Sequence, residues 1–318
     1  MQSLSIVICT FNRSRILQEL IKYFDDSILI PHGFTYELLF VDNNSSDSTK
    51  DVITSLLSGK RSYFLRYLHE EKSGLANARN KGIREAKYNK ILFLDDDIIP
   101  DRNILLSLNN AFVSLPSLEC FAIKVINHAV NAPHWYRLGG RYGMLARGNY
   151  DLGGESRFLT DTDPLPIGSG MIISKNIFNE VGLFDPRFGY DLKKSMYIPG
   201  EETELFMKIK SHGYRIVYIH DAIINHYPEK EKYDLDTLCK TYMGIGYWYG
   251  SADARKVKTG KIITWGGYPR AYYKRFFLDF IPYLLSRPLI NKTVRNYYLF
   301  QMKRTVGLFK GYRDFRNI

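Results

Sequence analysis

The run Ile91–Leu94 is apolar without interruption and stops at three consecutive aspartates, Asp95, Asp96 and Asp97. Such a short unbroken apolar run reads as a strand buried on both faces, as in the parallel sheets of α/β proteins. Carboxylates this close repel and raise one another's pKa unless a cation sits among them. A hard divalent ion shared with substrate phosphates resolves that conflict, whereas a solvated turn offers no reason for three acids behind such a strand.

The residues on either side set this strand in a repeating pattern. Ser5–Cys9 and Glu37–Val41 are short β-branched or apolar runs, and Arg15–Phe24 between them carries apolar residues at helical spacing. Leu65–Leu68 is a weaker strand and Leu75–Ala86 a helix. Alternating strands and helices predict a mainly parallel α/β sheet whose ligands sit at the carboxyl ends of its strands. After Pro100 the pattern loosens, and the aromatic, glycine-rich stretch from Trp135 to Gly154 yields no assignment. Order returns with Gly170–Ser174 as a strand, Lys175–Val181 and Glu202–His212 as helices, and Arg215–Ile219 as a strand. From Asp234 onward the pattern is mostly helical.

Polar clusters follow the first two strands: Thr10, Asn12 and Arg13 after one, and the run Asp42–Asp47 after the other. A carboxylate such as Asp42 can accept a hydrogen bond from a base N–H, while short polar side chains and backbone N–H groups hold ribose and phosphate. The same residues also make ordinary turns and N-caps. Glu201 and Glu202 open a helix, a placement that also suits the helix dipole. His226 lies just beyond the Arg215–Ile219 strand, with His220 as a nearby competitor.

The blocks SIVICTFNR, VDNNSSD, GLANARNKGI and FLDDD, in this order and spacing, resemble the nucleotide-binding half of glycosyltransferase family two. The likeness continues in Gly168–Met171, in Val181–Asp185 and in Gly200–Leu205. It implies a GT-A fold and inverting transfer of a sugar from a nucleotide-diphosphate donor, expected to be a UDP-sugar, to a hydroxyl of a glycan or lipid-linked glycan. It further implies that Asp95 and Asp97 hold Mn2+ or Mg2+ against the donor diphosphate, with Asp97 as the direct ligand and His226 completing the site. By the same likeness Arg79 lies near the diphosphate, Asp42 contacts the base, and Thr10, Asn12, Arg13, Asp96 and Gly170 belong to the donor site. Glu202 falls on the catalytic base. The family shows Glu-Asp where this chain has Glu201–Glu202, so the added methylene leaves both acids in play. The expected division is a catalytic domain over 1–230, with a nucleotide-sugar half at 1–100 and an acceptor half at 101–230, and a helical extension over 231–318.

Charge is concentrated in that extension. The chain of 318 residues has a formal net charge of +11, yet residues 254–318 hold 15 Lys/Arg against 2 Asp/Glu, a balance of +13 that leaves the rest at −2. Tyr268, Tyr272, Tyr273, Phe276, Phe277 and Phe280 are interleaved with these cations, a mixture suited to peripheral contact with an anionic membrane. A helical cap whose aromatics cover the core is the alternative, and the upstream blocks give no reason to expect nucleic acid. Phe276 to Leu285 is too short to span a bilayer and is interrupted by Asp279 and Pro282. With no signal-peptide pattern and three widely spaced cysteines, Cys9, Cys120 and Cys239, the expected place is the cytoplasm, peripheral at the inner face of the cell membrane. Two rival functions make different demands. A nucleotidyltransferase would show a glycine-rich loop after the first strand, where Thr10–Arg15 has no glycine. A non-catalytic glycan- or sugar-nucleotide-binding module would not need Asp95, Asp97 and Glu202 together.

Overall fold

The computed structural model describes residues 1–136, 148–191, 196–257 and 264–316. In chain order the first elements are β1 (Ser3–Thr10), α1 (Ser14–Asp26), β2 (Thr35–Asp42), α2 (Thr49–Leu56), β3 (Phe64–His69), α3 (Leu75–Glu85), β4 (Lys90–Leu94) and β5 (Ile98–Pro100). Next come α4 (Ile104–Ser114), β6 (Cys120–Asn127), β7 (Arg157–Phe158), β8 (Met171–Ser174), α5 (Ile177–Val181), β9 (Gly189–Asp191) and β10 (Met196–Ile198). The last are α6 (Glu201–Ser211), β11 (Ile216–His226), α7 (Leu235–Val257), β12 (Thr264–Trp265), β13 (Tyr268–Pro269), α8 (Arg270–Ser286) and α9 (Lys292–Phe315). They fall into two compact units: Met1–Ala129, Arg147–Arg187 and Glu201–Pro228 form one, and Val130–Ala146, Phe188–Gly200 and Glu229–Ile318 the other.

The first unit is built on one sheet in the order β3-β2-β1-β4-β8-β6-β11-β5, with β7 also paired to β11. β3, β2, β1 and β4 are parallel. β1 and β2 are buried along nearly their whole length, which is why both read as continuous apolar runs. In α1, Leu17, Leu20, Ile21 and Phe24 are buried, the three-and-four spacing of a helix packing one stripe on a core. The register sets Thr10 beside Asp42, Asp42 beside His69 and Ile8 beside Leu94. The polar ends of β1, β2 and β4 therefore share one edge of the sheet.

β8 runs antiparallel to both β4 and β6, and β11 runs parallel to β6 and antiparallel to β5. The pattern past Pro100 is more ordered than the sequence indicated, since α4 and β6 both lie there. β6 is apolar without alternation because it sits between β8 and β11, so periodicity gave no sign of it. β11 also extends beyond the expected Arg215–Ile219. Its register shifts between Ile219 and Ile223, and the bulge carries the strand on to His226. Of the stretch from Trp135 to Gly154, residues 137–147 lie outside the described residues.

In the second unit the principal packing is α7 against α9, joined by α8 against α9. Residues 243–250 meet residues 304–312 in ascending order on both helices, so α7 and α9 run in the same direction. The approach is close. A Cβ on Gly246 would stand 1.8 Å from the carbonyl oxygen of Arg304, and one on Gly307 would stand 1.9 Å from that of Met243. Tyr242 stacks on Phe300 at 4.8 Å between ring centres, filling the space beside this contact. α8 runs from Arg270 to Ser286 with Pro282 inside it, in keeping with the mostly helical pattern expected from Asp234 onward.

Candidate active site

The loop after β1 and the loop after β2 are tied together by hydrogen bonds. The Asn12 backbone N–H donates to Ser45 Oγ at 2.9 Å, and Asn12 Oδ1 accepts from the Ser46 N–H at 2.8 Å. Asn12 adopts a φ of +54°, which its short amide side chain tolerates. Asp42 is buried at the end of β2, where Oδ1 accepts from the Ser45 N–H at 2.9 Å and Oδ2 from the Tyr67 hydroxyl at 2.8 Å. Each oxygen keeps a second lone pair for a base N–H.

The three aspartates after β4 turn to three different sets of partners. Asp96 accepts from Thr10 Oγ1 at 2.8 Å and lies 3.8 Å from Arg13 Nε. Burial, more than the charge of Asp97, pushes its carboxyl up to about 7, against the pull of Arg13 and Thr10. Crowding of like charges is thus the smaller cause of the shift. Asp95 is the most exposed of the three, lies 3.9 Å from Arg79 Nη2, and is anchored by its own N–H donating to Ser169 Oγ at 3.1 Å.

Asp97 and His226 are brought together by strand pairing. β5 begins one residue after Asp97 and aligns Ile98 with His226, and the Tyr227 N–H donates to the Asp97 carbonyl at 3.1 Å. As a result His226 Nε2 lies 3.3 Å from Asp97 Oδ1, with both side chains buried. Neither ring nitrogen of His226 makes a hydrogen bond among the described residues. A carboxylate oxygen beside a buried, unbonded imidazole nitrogen is a donor set that suits a divalent ion such as Mn2+. No group of three or more His, Cys, Asp or Glu poised to hold a metal is present among the described residues. His220 lies on the β11 bulge instead, with Nδ1 3.1 Å from Ser156 Oγ.

Arg79 is buried on α3. Its Nη1 donates to Glu201 Oε1 at 3.1 Å, and the guanidinium lies 5.4 Å from the centre of the Phe184 ring. A Cβ on Gly168 would meet Arg79 Nη2 at 2.3 Å, so a larger residue there would push the guanidinium aside. Glu201 is buried at the start of α6, and Glu202 beside it is half-buried. Burial, then the charge of Glu202, pushes the Glu201 carboxyl up to about 8, with Arg79 opposing. Gly170 holds a φ of +90° between β4 and β6: its N–H donates to the Phe93 carbonyl, and its own carbonyl accepts from the Ile123 N–H.

Residues 5–182, more than half of the chain, match the family model for Glycosyl transferase family 2. The chain belongs to glycosyl transferase family 2. A family 2 chain with this sheet is similar to a mannosyltransferase from Pyrobaculum calidifontis solved in complex with GDP-Man and Mn2+, with a TM-score of 0.60 and 14% identity, covering 98% of this chain and 87% of that one. It is also similar to GalNAc-T7 solved with UDP, GalNAc and Mn2+, with a TM-score of 0.53 and 20% identity over 81% of this chain and 51% of that one. At those identities the likeness is one of fold, and the fold is GT-A. The GalNAc(5)-diNAcBac-PP-undecaprenol beta-1,3-glucosyltransferase of Campylobacter jejuni is 35% identical over 99 residues, 30% of this chain and 30% of its own. The chain spans between 14% and 30% of the length of the first curated relatives it matches.

Two residues that support this family 2 site escaped the sequence reading although they lie in its quoted blocks. Asn43 donates to the Lys72 carbonyl at 2.8 Å and accepts from the Gly74 N–H at 2.7 Å, pinning the entry to α3. Asn80 exchanges hydrogen bonds with the backbone of Phe184, at 2.8 Å to its carbonyl and 3.0 Å from its N–H. Both clamps fix the helix that carries Arg79. An amide adjacent to an expected ligand was the available signal.

Proposed function

We propose that this family 2 chain is a metal-dependent, inverting glycosyltransferase that moves a sugar from a nucleotide-diphosphate donor, a UDP-sugar, to a hydroxyl of a glycan or lipid-linked glycan. The observation that carries the reading is the meeting of Arg79, Asp95 and Glu201 at the strand ends where Thr10, Asp42 and Asp96 also gather. Asp42 and Asn12 receive the nucleoside; Thr10, Arg13, Asp96 and Gly170 line the donor; Arg79 stands against the diphosphate. Asp95, Asp97 and His226 would hold Mn2+ or Mg2+, and the ion supplies positive charge beside the leaving diphosphate. Glu202 takes the proton from the acceptor hydroxyl as it attacks the anomeric carbon.

Two observations support the choice of residues. Glu201 is committed to Arg79 and more deeply buried than Glu202, which favours Glu202 as the base. The closeness of His226 to Asp97 favours it over His220. We assign the chemistry to residues 1–230 and peripheral contact with an anionic membrane, at the cytoplasmic face, to the basic 231–318 extension. A panel of nucleotide sugars, assayed for Mn2+-dependent hydrolysis and for transfer to lipid-linked acceptors, tests the proposal. Activity with no donor, or retention at the anomeric centre by NMR, would remove it.

A further inference from the structure

α8 has two faces of opposite character. Toward α9 it buries Tyr272, Asp279 and Ser286; Asp279 accepts from Arg275 Nε at 2.7 Å and from the Thr305 hydroxyl. This is the only acid in the helix, and it is turned inward. On the opposite side Phe277, Leu278, Ile281, Leu284 and Leu285 follow the i, i+1, i+4, i+7, i+8 spacing of one helical stripe, all of them exposed, Leu285 to 69%. Leu289 and Ile290 continue the apolar surface beyond the helix, Ile290 at 98% exposure. The N-terminal part of the same stripe holds exposed Arg270 and Lys274. Solvated helices do not present large apolar residues at five consecutive stripe positions without a use for them.

We propose that this face is a membrane-docking surface on which α8 lies in the plane of an anionic phospholipid bilayer, with Phe277, Leu278, Ile281, Leu284 and Leu285 in the acyl boundary. The inference deepens the membrane reading above and is independent of the transfer chemistry. Charge selects the occupant. The face carries cations and no exposed acid, within a segment of balance +13, and an anionic lipid surface is complementary to both the charge and the apolar stripe. No helix among the described residues is long and apolar enough to cross a membrane, so the contact is interfacial.

The test uses the full chain, sedimented with phosphatidylglycerol–phosphatidylcholine vesicles and with phosphatidylcholine alone. The wild type should partition onto the anionic vesicles, and Leu278→Glu combined with Leu285→Glu should lower that partition about tenfold or more. Arg270→Gln with Lys274→Gln should weaken binding to anionic vesicles only. Phe277→Trp supplies a second reading, with emission that shifts to the blue on anionic vesicles. Unchanged binding by the glutamate variant, or an unshifted tryptophan, would overturn the proposal. So would a wild type that ignores vesicles but sediments as a dimer that the glutamates dissolve. Metal-dependent donor hydrolysis should be unaffected by the glutamates. If no donor is hydrolysed while vesicle binding behaves as expected, the transfer reading fails and the docking surface stands.

Discussion

Arg79 Nη1 lies 3.1 Å from Glu201 Oε1, with both side chains almost wholly withdrawn from solvent. The pair joins α3 to the first residue of α6 across 122 positions of sequence. Removing one partner of a buried ion pair leaves the other charge uncompensated. Arg79→Met should therefore lower unfolding free energy by on the order of 3 kcal/mol above about pH 8, where Glu201 is ionised. Protonated Glu201 needs no partner, so the loss should shrink in acid. A deficit in denaturant titrations that is equal at both pH values would contradict this account.

Glu201 has a pH signature of its own. Its carboxyl is raised from 4.5 to about 8 by burial and by Glu202, with Arg79 opposing. Between those values the folded chain holds a proton that the unfolded chain has released. The stability it contributes is whole below pH 4.5 and is lost as pH rises through about 8. The midpoint of thermal unfolding of Glu201→Gln should accordingly fall less than that of the wild type over this window. Parallel profiles would show that Glu201 titrates at its ordinary value.

For turnover the neighbouring acid matters more. Glu202→Gln keeps shape and hydrogen bonding but cannot accept a proton at neutral pH. Transfer should drop about 10²–10⁴-fold with donor affinity little changed. Glu201→Gln should cost much less, and a reversal of the two effects would exchange their roles.

Chelation with EDTA should abolish transfer, and Mn2+ or Mg2+ should restore it. Asp97→Asn should remove most of the restored activity, since it takes charge from the ion. His226→Ala should raise the Mn2+ concentration needed for half-restoration, while His220→Ala should leave it unchanged. Full transfer in the chelated chain would end the metal proposal.

The second unit depends on the closeness of α7 and α9. Gly246→Ala or Gly307→Ala forces a methyl group into the opposing backbone, and each should cost about 3 kcal/mol or more, measured by thermal or urea unfolding. Alanine at Gly154, which meets nothing within 4 Å, is the neutral control. Equal stabilities across the three variants would mean the helices can separate at little cost.

Much of the parallel half was legible. β1, β2 and β4 are apolar runs because they are buried on both faces, and α1 shows its stripe because only one side packs. β6 and α4 were not. β6 is apolar nearly throughout, and without alternation a strand and a helix look alike in sequence, while in α4 Ser107, Asn109 and Asn110 break up the buried positions Ile104, Leu105, Leu108 and Phe112. The extension of β11 was hidden by a bulge, which is a property of its pairing with β6 rather than of β11 alone.

By itself the sequence determined the strand–helix alternation, the acidic end of β4 and the family blocks, because hydrophobic periodicity and short motifs are local in the chain. Only the tertiary structure decided which histidine meets Asp97, which glutamate meets Arg79, and where each of the three aspartates turns. His220 and His226 lie six residues apart on β11, and it is the pairing of Ile98 with His226 that brings the second to Asp97. Glu201 and Glu202 are adjacent and chemically alike, and the rotation of α6 against α3 buries one and leaves the other half-exposed. Those outcomes depend on register and helix rotation between segments some 100 residues apart, where a one-residue step turns a side chain to another face.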